Sequence, residues 1–312
     1  MVVVIVIATG TLVAGAVALL ARRWPALQAP RVSGDKIAEE VVTHPKLAGH
    51  LRRHFDPQTE TGIALIVGTV VVGGALIGIG LLVAMIRSRT GLEKYDIRFA
   101  QFGADHATQW STNAMRKISM IGGTPVAVAL ALIATVIEFI RKPSRALVLF
   151  MALVVAGQFA LSNAIKFTVA RARPDISRLT GFAGTSFPSG HSTTAAATLA
   201  AIALISTRNR SRRAKIAGAA IAAGVAVMVA GTRVFLGVHW FTDVLAGLLL
   251  GWGWFAICSI AFGGRLLTFG LPVAAATKAA EATPPSAESE EVLPTDADDT
   301  RPEPALRSAN SG

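Results

Sequence analysis

Charge is what this 312-residue chain has least of: 16% of its residues are charged, against about 25% in an ordinary soluble chain. That shortage excludes a disordered chain and argues against a soluble enzyme. Cysteine is scarcer still. The lone Cys258 cannot close an internal disulfide, and its place in an apolar block reads as an inert core thiol. What fills the chain is apolar: 52% hydrophobic residues with mean hydropathy +0.54, gathered in long blocks. Such blocks point to a polytopic membrane protein, all-α, built as a helix bundle.

The net charge of +11 resembles a nucleic-acid signature, but its distribution argues otherwise. Residues Val273 to Gly312 hold eight acids and three bases, so the rest of the chain carries +16. Those bases cluster at the ends of apolar blocks, where membrane proteins place them. No nucleic-acid partner is therefore expected. The tail 273–312, rich in Ala, Pro, Glu, Asp, Thr and Ser, is expected to be disordered and acidic.

Seven apolar segments stand out: Val2–Leu20, Ile63–Ile86, Thr124–Ile140, Ala146–Ile165, Pro188–Ile205, Ile216–Phe235 and Trp240–Phe262. Each is near the ~20 residues that cross a bilayer as helix. The fifth is the weakest, because Ser192, Thr193 and Thr194 open it; it crosses only with that end in protein or at a water-filled site. Arg22 and Arg23 follow the first segment, which suits an uncleaved anchor with its N-terminus outside; a cleaved signal peptide is the alternative. Alternate loops carry fifteen Lys and Arg against eleven, and the short 206–215 turn alone carries five. That turn is thus expected inside, with the 166–187 and 232–240 regions on the extracytoplasmic face of the cell membrane. Residues 87–123 interleave Tyr95, Phe99, Phe102 and Trp110 with charges, as an interfacial helix or a solvated connector. Gly74 and Gly78 have the spacing of close helix packing.

Three polar clusters interrupt this pattern, and polar groups in membrane segments default to function. Lys166 and Arg173 are seven apart, two helical turns, so they share a face, with Pro174 marking the helix end. Two cations there suit an anion, or ordinary snorkelling. Ser186-Phe-Pro-Ser-Gly-His191 reads as a helix start, with Pro188 in its first turn and the Ser189 and Gly190 N–H groups free for an anion. His191 sits beside them; a plain helix cap is the alternative. Arg233 precedes His239 and Asp243, whose i,i+4 spacing stacks them on a helix. The carboxylate would fix the imidazole tautomer and leave the other nitrogen as nucleophile or base. A structural pair is the alternative there, and metal ligation lacks further ligands at suitable spacing. With seven spans, all three clusters fall on one face of the bilayer. Three cations, a helix N-terminus, two histidines and an aspartate suit phosphoryl transfer.

Lys-x6-Arg-Pro (Lys166 to Pro174), Pro-Ser-Gly-His (188–191) and Arg-x5-His-x3-Asp (233–243), in that order, resemble the three-part signature of the type 2 phosphatidic acid phosphatase (PAP2) superfamily. Thr232 stands where that family often has Ser before the Arg. The resemblance covers about residues 61–265, a PAP2-like six-helix core. Residues 1–60 would add one extra N-terminal transmembrane helix and a basic cytoplasmic segment. The resemblance implies that His239 attacks phosphorus to form a phosphohistidine, Asp243 orients it, and His191 protonates the leaving oxygen and then activates water. It implies that Lys166, Arg173, Ser189, Gly190 and Arg233 bind the phosphate. No metal and no cofactor are expected.

Other residues receive lesser roles. Arg171 would point away from the Lys166–Arg173 helix face, Asp175 and Arg178 are loop residues, and Glu138 snorkels or pairs locally with Arg141 or Lys142. Trp240, Trp252 and Trp254 fit interfacial belts. His44, His50 and His54 lie in a basic stretch that reads as solvated or facing lipid headgroups. The expected substrate is a phosphorylated lipid, a polyprenyl diphosphate such as undecaprenyl diphosphate ahead of phosphatidate or phosphatidylglycerophosphate, with a lipid phosphotransferase as a further alternative. A transporter with a polar relay and a vanadate-dependent haloperoxidase are the rival classes.

Overall fold

The computed structural model describes residues 1–23, 57–181 and 184–266. The expectations for the basic segment with His44, His50 and His54, and for the tail 273–312, lie outside the described residues. Those residues form α1 (Val2–Arg23), α2 (Pro57–Ser88), a 3₁₀ turn (Gly91–Tyr95), α3 (Asp96–Asp105), α4 (Gln109–Met120), α5 (Thr124–Arg141), α6 (Arg145–Val169), α7 (Gly190–Thr207), α8 (Arg212–Phe235) and α9 (Phe241–Leu266). The described architecture is all-helical, as expected, and all seven apolar segments are helices.

Local chemistry sets several boundaries. Thr108 and Ser111 form a reciprocal capping box that starts α4. Pro125 opens the first turn of α5, where its missing N–H costs nothing. Ser211 accepts the Ala214 N–H at the start of α8. At the other end of α6, Ala170 adopts a left-handed backbone (φ 47°) and stops the helix.

Among the described residues, six helices are long and apolar enough to cross a membrane: α1, α2, α5, α6, α8 and α9. The weak fifth segment, α7, falls outside that group for a physical reason. It runs through the middle of the bundle, packed by α5, α6, α8 and α9. Ser192, Thr193, Thr194 and Thr198 are buried in protein and need not face lipid. α9 approaches α7 so closely that a Cβ on Gly251 would stand 2.5 Å from the Thr193 carbonyl oxygen, and one on Gly247 2.6 Å from that of Ser189.

The GxxxG expectation in α2 needs correction. A Cβ on Gly78 would meet Leu249 of α9 at 2.9 Å, but nothing lies within 4 Å of one on Gly74. Glu138 makes the local ion pair expected of it, with Arg141 at 2.7 Å, and Cys258 is a buried free thiol. Residues 87–123 are helical, and the buried faces of α3 (Asp96, Ala100, Gly103) and α4 (Ser111, Thr112, Met115, Ser119) turn toward the bundle. The ends of α4, α6 and α8 thus gather with the starts of α3, α7 and α9 at one end of the molecule.

Gly251→Val should overpack the α7–α9 seam and cost about 1–3 kcal/mol, read as a thermal midpoint several degrees lower in detergent. Gly74→Ala should leave the midpoint unchanged. Equal midpoints for both variants would contradict the packing.

Candidate active site

The first polar cluster is assembled by a broken helix, not a continuous one. α6 ends at Val169, so Lys166 and Arg173 do not share a helical face as their spacing predicts. They meet because the chain folds back. Lys166 Nζ donates to the Thr185 carbonyl at 3.0 Å and Arg173 Nη2 donates to the same oxygen at 3.1 Å. Arg173 also donates from Nε to Gly184 O and from Nη1 to Val238 O at 2.7 Å.

The break gives Arg171 a role opposite to the one expected. It does not point away from the site. Its Nη1 donates to Asp243 Oδ1 at 2.7 Å and to Thr242 Oγ1 at 2.8 Å, and its Nη2 donates to Asp96 Oδ2 at 2.8 Å. Asp96, 1% exposed, was not singled out by sequence reasoning. It also accepts the Thr242 N–H at 2.9 Å and the Thr242 hydroxyl at 2.7 Å, at the first turn of α9. A carboxylate there is favoured by the unpaired amides of the helix start.

The second cluster also differs in detail. α7 begins at Gly190 with Ser189 as its N-cap, so Pro188 precedes the helix and does not occupy its first turn. The Ser189 N–H is not free: it donates to the Asp243 carbonyl at 3.0 Å. The Ser189 hydroxyl accepts from Ser192 at 3.0 Å. Gly190 is the first helical residue, whose N–H has no acceptor within its own helix. A Cβ on Gly190 would sit 4.0 Å from Lys166 Cε, so the helix start and that cation are adjacent. His191 lies in the same turn, within electrostatic range of Arg233, His239, Arg173 and Lys166.

In the third cluster, His239 precedes α9, so it and Asp243 are not stacked on one helix. A turn brings them together instead. Asp243 Oδ2 accepts the Trp240 N–H at 2.9 Å and lies 3.5 Å from His239 Nδ1. On the other side of the ring, Arg173 Nη1 is 3.2 Å from His239 Nε2. Since arginine can only donate, Nε2 is the acceptor and the ring proton sits on Nδ1, facing the carboxylate. Arg233 is buried and donates from Nη1 to Ser119 Oγ at 2.7 Å, a second partner the sequence reading missed. Its carbonyl accepts the Val238 and His239 N–H groups, pinning the loop. Trp240 is part of this structure: its indole donates to Ala172 O at 2.9 Å, and the Arg171 guanidinium lies 5.4 Å from its ring centre.

The expected site residues His239, His191, Asp243, Lys166, Arg173, Ser189, Gly190 and Arg233 therefore converge at one end of the bundle. Four cations (Lys166, Arg171, Arg173, Arg233) outnumber two carboxylates (Asp96, Asp243). The surplus of two positive charges suits a phosphate group, which carries about −1.5 to −2 near neutral pH. Burial pushes the His239 imidazole down to about 4 against the opposing pull of Asp243, so it is neutral at physiological pH. Among the described residues, no three His, Cys, Asp or Glu side chains are grouped as ligands for a metal.

This is a cation-rich, histidine-centred site at one end of a bundle of long apolar helices, and comparison with known proteins gives its family. Residues 146–266 match the PAP2 superfamily. A lipid A 1-phosphatase of Rhizobium etli is 40% identical over 119 residues, 35% of this chain and 46% of that protein. Phosphatidylglycerophosphatase B of Bacillus subtilis is 35% identical over 146 residues, 46% of this chain and 70% of that protein. The crystal structure of a transmembrane PAP2-type phosphatidylglycerolphosphate phosphatase from Bacillus subtilis superposes with a TM-score of 0.59 at 28% identity, covering 64% of this chain and 99% of the other. The chain thus spans about half of the lipid A phosphatase and more than two thirds of the phosphatidylglycerophosphatase. It belongs to the PAP2 superfamily.

A histidine-selective ¹⁵N titration in micelles should find His239 neutral down to about pH 4; titration at the ordinary 6.5 would contradict this burial. Because folding lowers this pKa, its contribution to stability is complete above 6.5 and lost as pH falls toward 4. Asp96→Asn should place an amide against the Arg171 donors and destabilise the folded protein by roughly 3 kcal/mol, measured by thermal unfolding in detergent.

Proposed function

We propose that this chain is a membrane lipid phosphatase working through a phosphohistidine, with its site at the extracytoplasmic face. The observation that carries the reading is His239. Its Nδ1 proton faces Asp243 while Nε2, 3.2 Å from Arg173, keeps a lone pair directed among the cations. A bound phosphate would draw the Arg173 donor onto its own oxygens and free Nε2. Nε2 then attacks phosphorus, and the P–O bond to the lipid breaks as the N–P bond forms. Once the bound phosphate offsets the surrounding cations, His191 takes up a proton as imidazolium and gives it to the leaving oxygen. It next takes one from water, whose oxygen displaces His239 and releases phosphate. Lys166, Arg173, Arg233, the Gly190 N–H and the Ser189 hydroxyl meet the phosphoryl charge. Asp96 and Arg171 act through Asp243 as positioning residues.

The names carried by the relatives, a lipid A 1-phosphatase and a phosphatidylglycerophosphatase, support a lipid phosphomonoester as substrate. A polyprenyl diphosphate is the second substrate class, supported by the loop-charge count, which favours a site on the outer side. Residues 61–265 form the catalytic unit in this reading.

His239→Ala and His191→Ala should each abolish phosphate release in micelles, and full activity in either would overturn the mechanism. Asp96→Asn should lower kcat about 10–100-fold with KM near that of the wild type, and Asp96→Glu should recover part of it. Release should persist in excess EDTA; activity restored only by added Mg²⁺ would contradict the site. A panel of phosphatidylglycerophosphate, phosphatidate and undecaprenyl diphosphate ranks the substrates.

A further inference from the structure

At the end of the bundle opposite His239, a cavity of about 210 Å³ opens between α7, α8 and α9. Its walls are apolar, chiefly Ala203, Leu204, Ala222, Trp252 and Phe255. Arg208, just past the end of α7, and Lys215, in the first turns of α8, line it with their cationic side chains. Arg208 Nε and Nη2 are buried, and neither makes a hydrogen bond. Among the described lining residues there is no acid to neutralise either cation.

Leaving donors of a charged group buried without acceptors is costly, more so than for a neutral group. An apolar chamber beneath two cations fits a ligand with an anionic head and an apolar body. We infer that this cavity binds an anionic phospholipid, with the headgroup phosphate on Arg208 and Lys215 and part of an acyl chain against Ala203, Trp252 and Phe255. The position supports it: α7 ends and α8 begins here, beside the middle of α9, and basic pockets between transmembrane helices are recurrent headgroup sites. A small inorganic anion could satisfy the guanidinium but would leave the apolar walls empty, so the ligand is a lipid and not free phosphate. The site is separate from the catalytic cations, which occupy the other end of α7.

The test is native mass spectrometry of the full chain, released from micelles doped with phosphatidylglycerol or with phosphatidylcholine of the same acyl chains. The wild type should retain phosphatidylglycerol preferentially, and inorganic phosphate should not compete. Arg208→Gln should reduce that retention about tenfold, while Arg210→Gln, at an exposed neighbour outside the cavity, should not. Ala203→Phe, which fills the cavity without altering charge, should also reduce it and serves if the arginine variant fails to fold. Equal retention of both lipids, or equal losses from Arg208→Gln and Arg210→Gln, would overturn the proposal. So would undiminished binding in Ala203→Phe.

Discussion

Arg171 stands between two buried carboxylates, and the active end of the molecule is arranged around that contact. Asp96 and Asp243 come from helices far apart in sequence, and each is at most 1% exposed. Buried unpaired carboxylates are expensive, and two near one another repel. One guanidinium answers both, with two short charge-assisted bonds. The consequence for chemistry is directional. Asp243 Oδ1 is taken by Arg171, so Oδ2 is left for the Trp240 N–H and the His239 ring. The same contact ties α3, the loop after α6 and the start of α9 into one unit, so the imidazole is oriented by groups on three separate segments.

The central helix completes that unit. Glycines on α9 let α7 approach to backbone contact, and the Ser189 N–H then reaches the Asp243 carbonyl. The start of α7 and the residue whose carboxylate faces His239 are joined by a main-chain hydrogen bond. A shift of α7 along α9 would move both parts together. The loop from Leu236 to Trp240 is held equally firmly: the Arg233 carbonyl accepts two of its N–H groups, and Gly237 (φ 70°) presses against the Ile176 and Ser177 carbonyls, where a Cβ would not fit. Rigidity of this kind is what lets fixed cations act without reorganising when charge develops.

Much of this was legible in the sequence, because both hydropathy and residue spacing survive folding. The seven apolar segments are all helices, and the eight expected site residues converge. What failed was extrapolation of helical geometry through breaks. Spacing of seven put Lys166 and Arg173 on one face, but Ala170 ends the helix between them, and the same error turned Arg171 outward. Spacing of four stacked His239 on Asp243, but α9 begins only at Phe241. Asp96 and Ser119 were missed for another reason. Each is a single polar residue in a mixed stretch, and its partner is more than seventy positions away. The one available signal was that Asp96 is among few acids in a predominantly basic segment. A cationic site elsewhere in the chain gives such an acid a partner.

The distribution of buried charge also separates the phosphatase reading from that of a polar relay. Asp96, Arg233 and Asp243 are buried at one end of the bundle, and Glu138, paired with Arg141, lies at the far end of α5. Between these ends, the buried polar side chains among the described residues are hydroxyls and one amide, including Gln158, Ser162, Thr194 and Thr198. None of them titrates near physiological pH, so they cannot pass a proton by changing charge as a chain of carboxylates or histidines would. A transport site would also sit near the midplane, where helices are interrupted. Here α6 and α8 end, and α7 and α9 begin, at the charged site itself. The fold therefore concentrates fixed positive charge at one end of the helix bundle, where two helices end and two begin.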